Sequence, residues 1–277
     1  MSGKQDHFDS IIVGAGFAGL YALHRLRGLG QTVRAFETGN GVGGTWYWNR
    51  YPGARCDVES MQYSYQFSDE LAQEWSWTER YAAQPEILRY ANHVADRFDL
   101  KKDIQFNTKV ASAHYDETSG LWTVKTESGE RFTARYLILA TGCLSATNFP
   151  AIKGRETFAG ATYHTSRWPH EGVDFTNKRV GIIGTGSSAV QSIPLIARDA
   201  KQLIVFQRTP TYSIPAHNKP LDPEELGGDA LDPTDPAHKL DIVRDDVGER
   251  HPSAHLSEGD GADAHATADV QQRPPRH

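Results

Sequence analysis

The hydrophobic pattern opens with a short apolar, β-branched run at residues 9–13 (DSIIV), the signature of a buried strand. Leu20, Leu23 and Leu26 then recur at helical spacing as far as Gly28 and Gly30, which are helix stop signals. Residues 32–36 (TVRAF) predict a second strand. Between 104 and 139 the pattern changes to alternation. It predicts strands at 104–110, 113–115, 122–126 and 131–133, with turns at Thr118-Ser119-Gly120 and Ser128-Gly129. Residues 136–142 (YLILATG) predict a further buried strand. The strand–helix–strand pattern returns with 178–183 (KRVGII), a helix, and 203–206 (LIVF). Pro194 lies inside that helix and predicts a kink or break, since it has no N–H and its ring crowds the preceding turn. The alternation of strand and helix predicts an α/β fold with parallel sheets and a small antiparallel β-meander.

Composition changes the picture at one end. The chain has 277 residues and a formal net charge of −6. Residues 227–277 hold eleven acids against five bases, and no Phe, Tyr or Trp. That segment cannot bury enough apolar surface to offset its ordering entropy, so it is expected to be a disordered acidic tail with at most a short helix near 240–247. Its histidines are scattered without ligand spacing. Two cysteines, Cys56 and Cys143, exclude a disulfide scaffold and a multi-cysteine metal site, and no metal is expected. No basic patch suggests nucleic acid. No apolar run reaches the roughly 18–20 residues of a membrane helix, and residues 1–8 (MSGKQDHF) hold no signal-peptide core. The expected compartment is cytoplasmic, with no membrane partner.

Two glycine-rich turns carry the candidate chemistry. The first, Gly14-Ala15-Gly16-Phe17-Ala18-Gly19, sits between a predicted strand and helix, with Glu37 eighteen residues after its last glycine. That is the complete dinucleotide fingerprint. Gly14 permits the turn, Gly16 lets a pyrophosphate approach the backbone, Gly19 lets helix and strand pack closely, and Glu37 accepts from a ribose. The second, Gly184-Thr185-Gly186-Ser187-Ser188-Ala189, replaces the third glycine with alanine. Eighteen residues on stands Gln207, followed by Arg208 and Thr209. Without an acid for a free 2′-hydroxyl, and with a guanidinium beside its place, this site favours a 2′-phosphate. The pair reads as two Rossmann-like dinucleotide-binding units, one for FAD and one for NADPH, with hydride passing from NADPH to the flavin. The loop 41–57 (GVGGTWYWNRYPGARCD) packs aromatic residues among glycines, a composition suited to lining a ligand.

Phe158-Ala-Gly160-Ala-Thr-Tyr-His164-Thr-Ser-Arg-Trp168-Pro169 matches FxGxxxHxxxW[PD], which lies between the two turns. On this fingerprint and the Gly43-Gly44-Thr45-Trp46 … Tyr51-Pro52-Gly53 … Asp57 loop, the chain resembles the Baeyer–Villiger monooxygenases from about residue 8 to 226. It looks most like the phenylacetone- and cycloketone-type members. The resemblance implies FAD, NADPH and O2 as reactants and conversion of a ketone to an ester or lactone. It implies that Gly14, Gly16, Ala18, Gly19 and Glu37 hold the FAD pyrophosphate and ribose. Thr45, Trp46, Asp57, Val58 and Tyr63 would lie near the flavin or its linker, and Val110 near the adenine end. Arg55, Cys56 and Asp57 would approach the nicotinamide. Thr185, Gly186, Ser187, Ser188, Ala189 and Gln191 would contact the NADP pyrophosphate, with Arg208 and Thr209 on the 2′-phosphate. Phe158, Gly160, His164 and Trp168 would form the interdomain fingerprint, with His164 coupling domain positions. Asp57 is expected to support a catalytic arginine that has no counterpart in matching context here.

The expected organisation is thus residues 1–150 as the N-terminal part of an FAD-binding domain and 151–226 as the first half of an NADP-binding domain. Residues 227–277 would be an unrelated tail. Family members are considerably longer, so the chain looks truncated, and a second chain supplying the remaining domains is a candidate partner. Two alternatives stay open: an inactive or split FAD/NADPH-binding fragment, and an amine- or sulfide-oxidising flavin-containing monooxygenase.

Overall fold

A computed structural model describes residues 6–221. The expectations for 227–277, and the end of the second domain after 221, lie outside the described residues. β1 (His7–Val13) leads through the first glycine turn into α1 (Phe17–Gly28) and back to β2 (Val33–Phe36), which pairs parallel to β1. Three helices follow before the chain rejoins the sheet: α2 (Thr45–Trp48), α3 (Asp69–Glu74) and α4 (Gln84–Arg97). The α4 helix begins with Pro85 in its first turn, where a missing N–H costs nothing. Ile87, Tyr90, Ala91 and Val94 then recur on one face, and that face is buried.

β3 (Ile104–Gln105) pairs parallel to β2, and β4 (Val110–Asp116), β5 (Leu121–Thr126) and β6 (Arg131–Leu139) form the antiparallel meander. The six strands make one sheet in the order β3-β2-β1-β6-β5-β4. Three strand expectations change, the simplest being that the strand expected to be buried at 136–142 ends at Leu139, with Tyr136 and Leu139 exposed. The run 104–110 divides because Asn107 adopts a left-handed backbone, φ 51°, which ends the pairing with β2 before β4 begins. Conversely, 131–133 and 136–139 are one strand, since nothing between them makes a turn. Residues 131–134 pair antiparallel with β5, while 133–139 pair parallel with β1, so β6 welds the meander to the parallel half.

The core has two faces. Ile12, Leu20, Leu23 and Ala35 pack with Ala91 and Ala95 of α4 on one side, and Phe8, Ile11, Phe36, Val124 and Phe132 fill the other. Each fully buried leucine or isoleucine contributes about 1.5–3 kcal/mol. The second glycine turn joins β7 (Arg179–Ile183) to α5 (Ser187–Asp199) and parallel β8 (Gln202–Phe206). The α5 helix continues through Pro194, so the expected break does not occur. Val180, Ile182 and Leu203 pack with Ile196, Phe175 and Trp168, whereas Ile183, Ile204 and Phe206 alternate onto an exposed face. Among the described residues no helix is long and apolar enough to cross a membrane.

The segment after α2 folds back on the start of α4. The backbone N–H of Cys56 donates to Ala82 O at 3.1 Å, and that of Gln84 to Ala54 O at 2.8 Å. Cys56 is buried there, and burial pushes its thiol above the ordinary range, whereas Cys143 is exposed. Two outcomes follow from this packing. Leu23→Ala should lower the unfolding free energy by about 2–5 kcal/mol, read from denaturant titration. At pH 8 a thiol reagent should modify Cys143 at least about tenfold faster than Cys56, because Cys56 is both shielded and short of thiolate. Peptide mapping of the labelled sites checks this, and equal rates would mean the loop does not hold.

Candidate functional site

The first glycine turn is set by contacts that leave no space for side chains. Gly14 has φ 105°, and a Cβ placed on it would lie 2.5 Å from Ala140 O at the end of β6. A Cβ on Gly19 would lie 2.0 Å from Gly14 O, so α1 can start only directly above the turn. Across the cleft Gly44, φ 55°, would bring a Cβ within 2.8 Å of Gly16 Cα. Two backbone segments therefore face each other with nothing between them. The N-cap of α1 is Gly16, with no side-chain cap and no acid in the first turn, so its amides remain available to an anion.

Glu37 closes the other side. It is 6% exposed at the end of β2. Its Oε2 accepts from Ala15 N and its Oε1 from Gly39 N, both at 2.8 Å. Each carboxylate oxygen keeps a further lone pair that can accept from a hydroxyl. The cleft beside it has a volume of about 440 Å³. Gly14, Gly16, Ala18, Glu37, Thr45, Trp46, Tyr63 and Val110 all line it, as does Trp48 at the end of α2. Trp46 Nε1 donates to the Tyr63 hydroxyl at 2.9 Å, and burial raises the Tyr63 phenol above its ordinary value. Gly19 lies off the wall, packed directly over Gly14. Arg55, Cys56, Asp57 and Val58 are not on the wall; Asp57 and Val58 are exposed and Cys56 is buried behind them.

The linker fingerprint divides in its role. Trp168 is 8% exposed and packs with Phe175 and Ile196 beside β7 and α5. His164 caps a short turn, its Nδ1 accepting from Ser166 N at 3.2 Å, and meets Phe149 edge-on at 4.9 Å. Phe158 is exposed and lies over Gly160, whose added Cβ would meet its ring at 2.6 Å. Sequence reasoning missed Arg167. Its guanidinium lies 4.6 Å over the Trp48 ring, its Nε donates to Thr147 Oγ1 at 3.2 Å, and it lines the cleft. The available signal was a cation between two fingerprint positions, facing an aromatic loop elsewhere in the chain.

The second turn repeats the first in outline. Gly184 has φ 99°, and Gly186 is the N-cap of α5 with no side-chain cap and no acid in the first turn. Ser187 is exposed, and Thr185, Ser188 and Ala189 are half-buried around it. Arg208 and Thr209 stand exposed just beyond β8. The side chain of Gln191 points to the first unit: its Oε1 accepts from the Tyr51 hydroxyl at 2.9 Å, and its Nε2 donates to Arg55 O at 3.0 Å. Burial raises the Tyr51 phenol, with Asp57 adding to the rise.

Known proteins match this arrangement. Residues 11–222 match the family model described as pyridine nucleotide-disulphide oxidoreductase. A Baeyer–Villiger monooxygenase of Pseudooceanicola batsensis is 54% identical over 216 residues, covering 78% of this chain and 39% of that protein. A cyclohexanone 1,2-monooxygenase of an Acinetobacter species is 51% identical over 227 residues, covering 82% and 41% respectively. A solved structure of an oxidised steroid monooxygenase bound to NADP superposes with a TM-score of 0.77 at 62% identity, covering 79% of this chain and 42% of that one. The chain thus spans about two fifths of the length of these relatives. With most of its length inside one family model, and Baeyer–Villiger and cycloketone monooxygenases as its relatives, this chain belongs to the pyridine nucleotide-disulphide oxidoreductase family.

Proposed function

We propose that this chain is the nucleotide-binding portion of an FAD- and NADPH-dependent Baeyer–Villiger monooxygenase. The observation that carries the reading is Glu37, held by two backbone amides at the mouth of a cleft walled by Gly14, Gly16, Trp46 and Tyr63. The residues fit FAD. Gly14, Gly16, Ala18 and the open α1 terminus take the pyrophosphate, and Gly19 holds the helix over the turn. Glu37 takes the adenosine ribose, Val110 the adenine end, and Thr45, Trp46 and Tyr63 the flavin side. They also fit NADPH. Thr185, Gly186, Ser187, Ser188 and Ala189 surround the second open helix terminus, and Arg208 with Thr209 faces a 2′-phosphate where an acid would repel it.

When bound, the two cofactors supply the redox chemistry. Together they would supply the hydride and the O2-activating ring needed to insert one oxygen atom next to a ketone carbonyl, the other oxygen leaving as water. The protein's part is to bind, orient and exclude water. Asp57, exposed beside Tyr51 and Cys56 where the units meet, is proposed to hold an arginine toward the reacting centre. Arg55 and Cys56 act there as scaffold. His164 and Trp168 set the linker, with Phe158 and Gly160 at its surface end. Residues 1–150 and 151–226 are proposed as the FAD-binding and NADP-binding parts. The bare apolar face of Ile183, Ile204 and Phe206 supports a further covering layer, from additional chain or a second polypeptide. The two free cysteines support a reducing, cytoplasmic setting.

The first test is the visible spectrum of the purified protein loaded with FAD, before and after NADPH. A flavin band that bleaches and returns in air supports the reading. Failure to retain FAD under any loading condition refutes it, and oxidation of sulfides or amines but no ketone would assign the related amine- and sulfide-oxidising class. Two substitutions sharpen the test. Glu37→Gln turns an acceptor into a donor facing a backbone N–H and should weaken FAD binding by about tenfold to a hundredfold, measured by flavin fluorescence titration. Arg208→Ala should raise the NADPH Kd by roughly tenfold or more while leaving NADH binding unchanged.

A further inference from the structure

The loop 51–57 meets α5 at one point, and the fit there is close. Gly53 has φ 79°, and a Cβ on it would lie 2.4 Å from Gln191 O and 3.0 Å from Leu195 Cδ1. Above this backbone contact the Gln191 amide is matched at both ends. Its Oε1 accepts from the Tyr51 hydroxyl at 2.9 Å and from Arg55 N at 3.3 Å, and its Nε2 donates to Arg55 O at 3.0 Å. One side-chain amide thus pairs with both the N–H and the C=O of a single residue, as a neighbouring strand would. Arg55 is held from the other side too. Its guanidinium bonds to Glu79 and, at 2.5 Å, to Tyr81 O. Asn218 Nδ2 donates to the same Glu79 carboxylate at 2.5 Å, and Asn218 Oδ1 accepts from Tyr81 N at 2.9 Å. The loop is therefore rigid where Gln191 grips it.

Gln191 stands one turn into the helix that starts at the second glycine turn, and the loop it grips continues directly from the Trp46–Trp48 wall of the first cleft. We propose that Gln191 is a positioning residue whose amide clamps the loop Tyr51–Arg55 to the first turns of α5 and so fixes the placement of the second nucleotide site against the first. This rests on the reading of the two sites as FAD and NADPH sites. It differs from the expected role of Gln191 on the NADP pyrophosphate, because the amide oxygen and one amide hydrogen are already engaged by the loop. Glutamine suits the position because it alone among residues of its length offers an acceptor and a donor side by side. Transfer between two bound rings depends steeply on their separation, so loosening the clamp should slow transfer more than binding.

Hydrogen exchange on the purified chain without added nucleotide tests the clamp directly. Gln191→Met keeps the volume and removes all three bonds, and exchange of the 51–57 segment should accelerate at least about fivefold. Tyr51→Phe removes one of the three Gln191 bonds, together with the Tyr51–Ser188 bond, and should show a smaller acceleration, and Gln191→Glu, which keeps the acceptor and loses the donor, should fall between. The β4–β5 segment should be unchanged, which separates loss of the clamp from general unfolding. If Gln191→Met unfolds the chain, Tyr51→Phe carries the test alone. In FAD-loaded protein, stopped-flow bleaching at saturating NADPH should slow by about tenfold or more, with the NADP⁺ Kd held within about twofold. A raised Kd with an unchanged bleaching rate and unchanged exchange would overturn the clamp in favour of direct contact with the nucleotide. Failure to bind FAD at all would count against the functional reading, and the exchange result would still decide the clamp.

Discussion

The constraint on which the rest depends is the absence of room above the β1–α1 turn. Gly14 passes beneath the end of β6, and Gly19 passes over Gly14, at distances no Cβ tolerates. Because α1 starts there, its free amides point along the cleft. Because β2 must then run beside β1, its terminal Glu37 arrives opposite those amides. The same lack of side chains lets Gly44 approach Gly16 from the aromatic loop. Anion site, carboxylate and aromatic wall are thus consequences of one backbone contact, not three separate features.

The two glycine turns share the strand-to-helix course and an uncapped helix start but not the crowding, since a Cβ on Gly184 or Gly186 would meet nothing within 4 Å, and they differ in the charge at the end of the next strand. At Glu37 the carboxylate is buried, so it must be hydrogen-bonded to be tolerated, and two backbone N–H groups meet that need. This fixes the oxygens in place before any ligand arrives. At Arg208 the cation is exposed, so water meets its hydrogen-bonding needs and no fixed partner is required. A fixed, buried carboxylate after one turn and an exposed cation after the other follow from burial alone.

Much of this was legible from the chain. Glycine spacing and the position of Glu37 are local signals, because the turn is made within six residues and its acid lies one strand away. The amphipathic α4 was equally local, with Ile87, Tyr90, Ala91 and Val94 in register, although no element was expected between residues 57 and 104. The division of 104–110 at Asn107 and the fusion of 131–139 depend on which strands are neighbours, which periodicity does not encode. Arg167 over Trp48 and Gln191 on Arg55 are contacts across 119 and 136 residues of chain. Only the fold brings those side chains together, so no spacing rule could have found them.

These long-range contacts also say how the two units hold each other. Trp168 anchors the linker in the second unit, Arg167 reaches back to the aromatic loop of the first, and His170 meets Tyr47 edge-on at 4.9 Å. Gln191 and Gly53 make a direct contact, and Asn218 bonds back to Glu79 and Tyr81. None of these is a broad apolar seam; each is a small polar or aromatic clasp. Interfaces of that kind within one chain permit relative motion unless something larger locks them. A cation over an indole can slide, contributing about 0.5–1 kcal/mol at an exposed site without fixing a geometry. An amide paired to both ends of one backbone residue cannot slide without breaking two bonds at once. Of these contacts, the pairing of Gln191 with Arg55 and that of Asn218 with Glu79 and Tyr81 are therefore the ones able to fix a geometry, where the ring contacts of Arg167 and His170 are not.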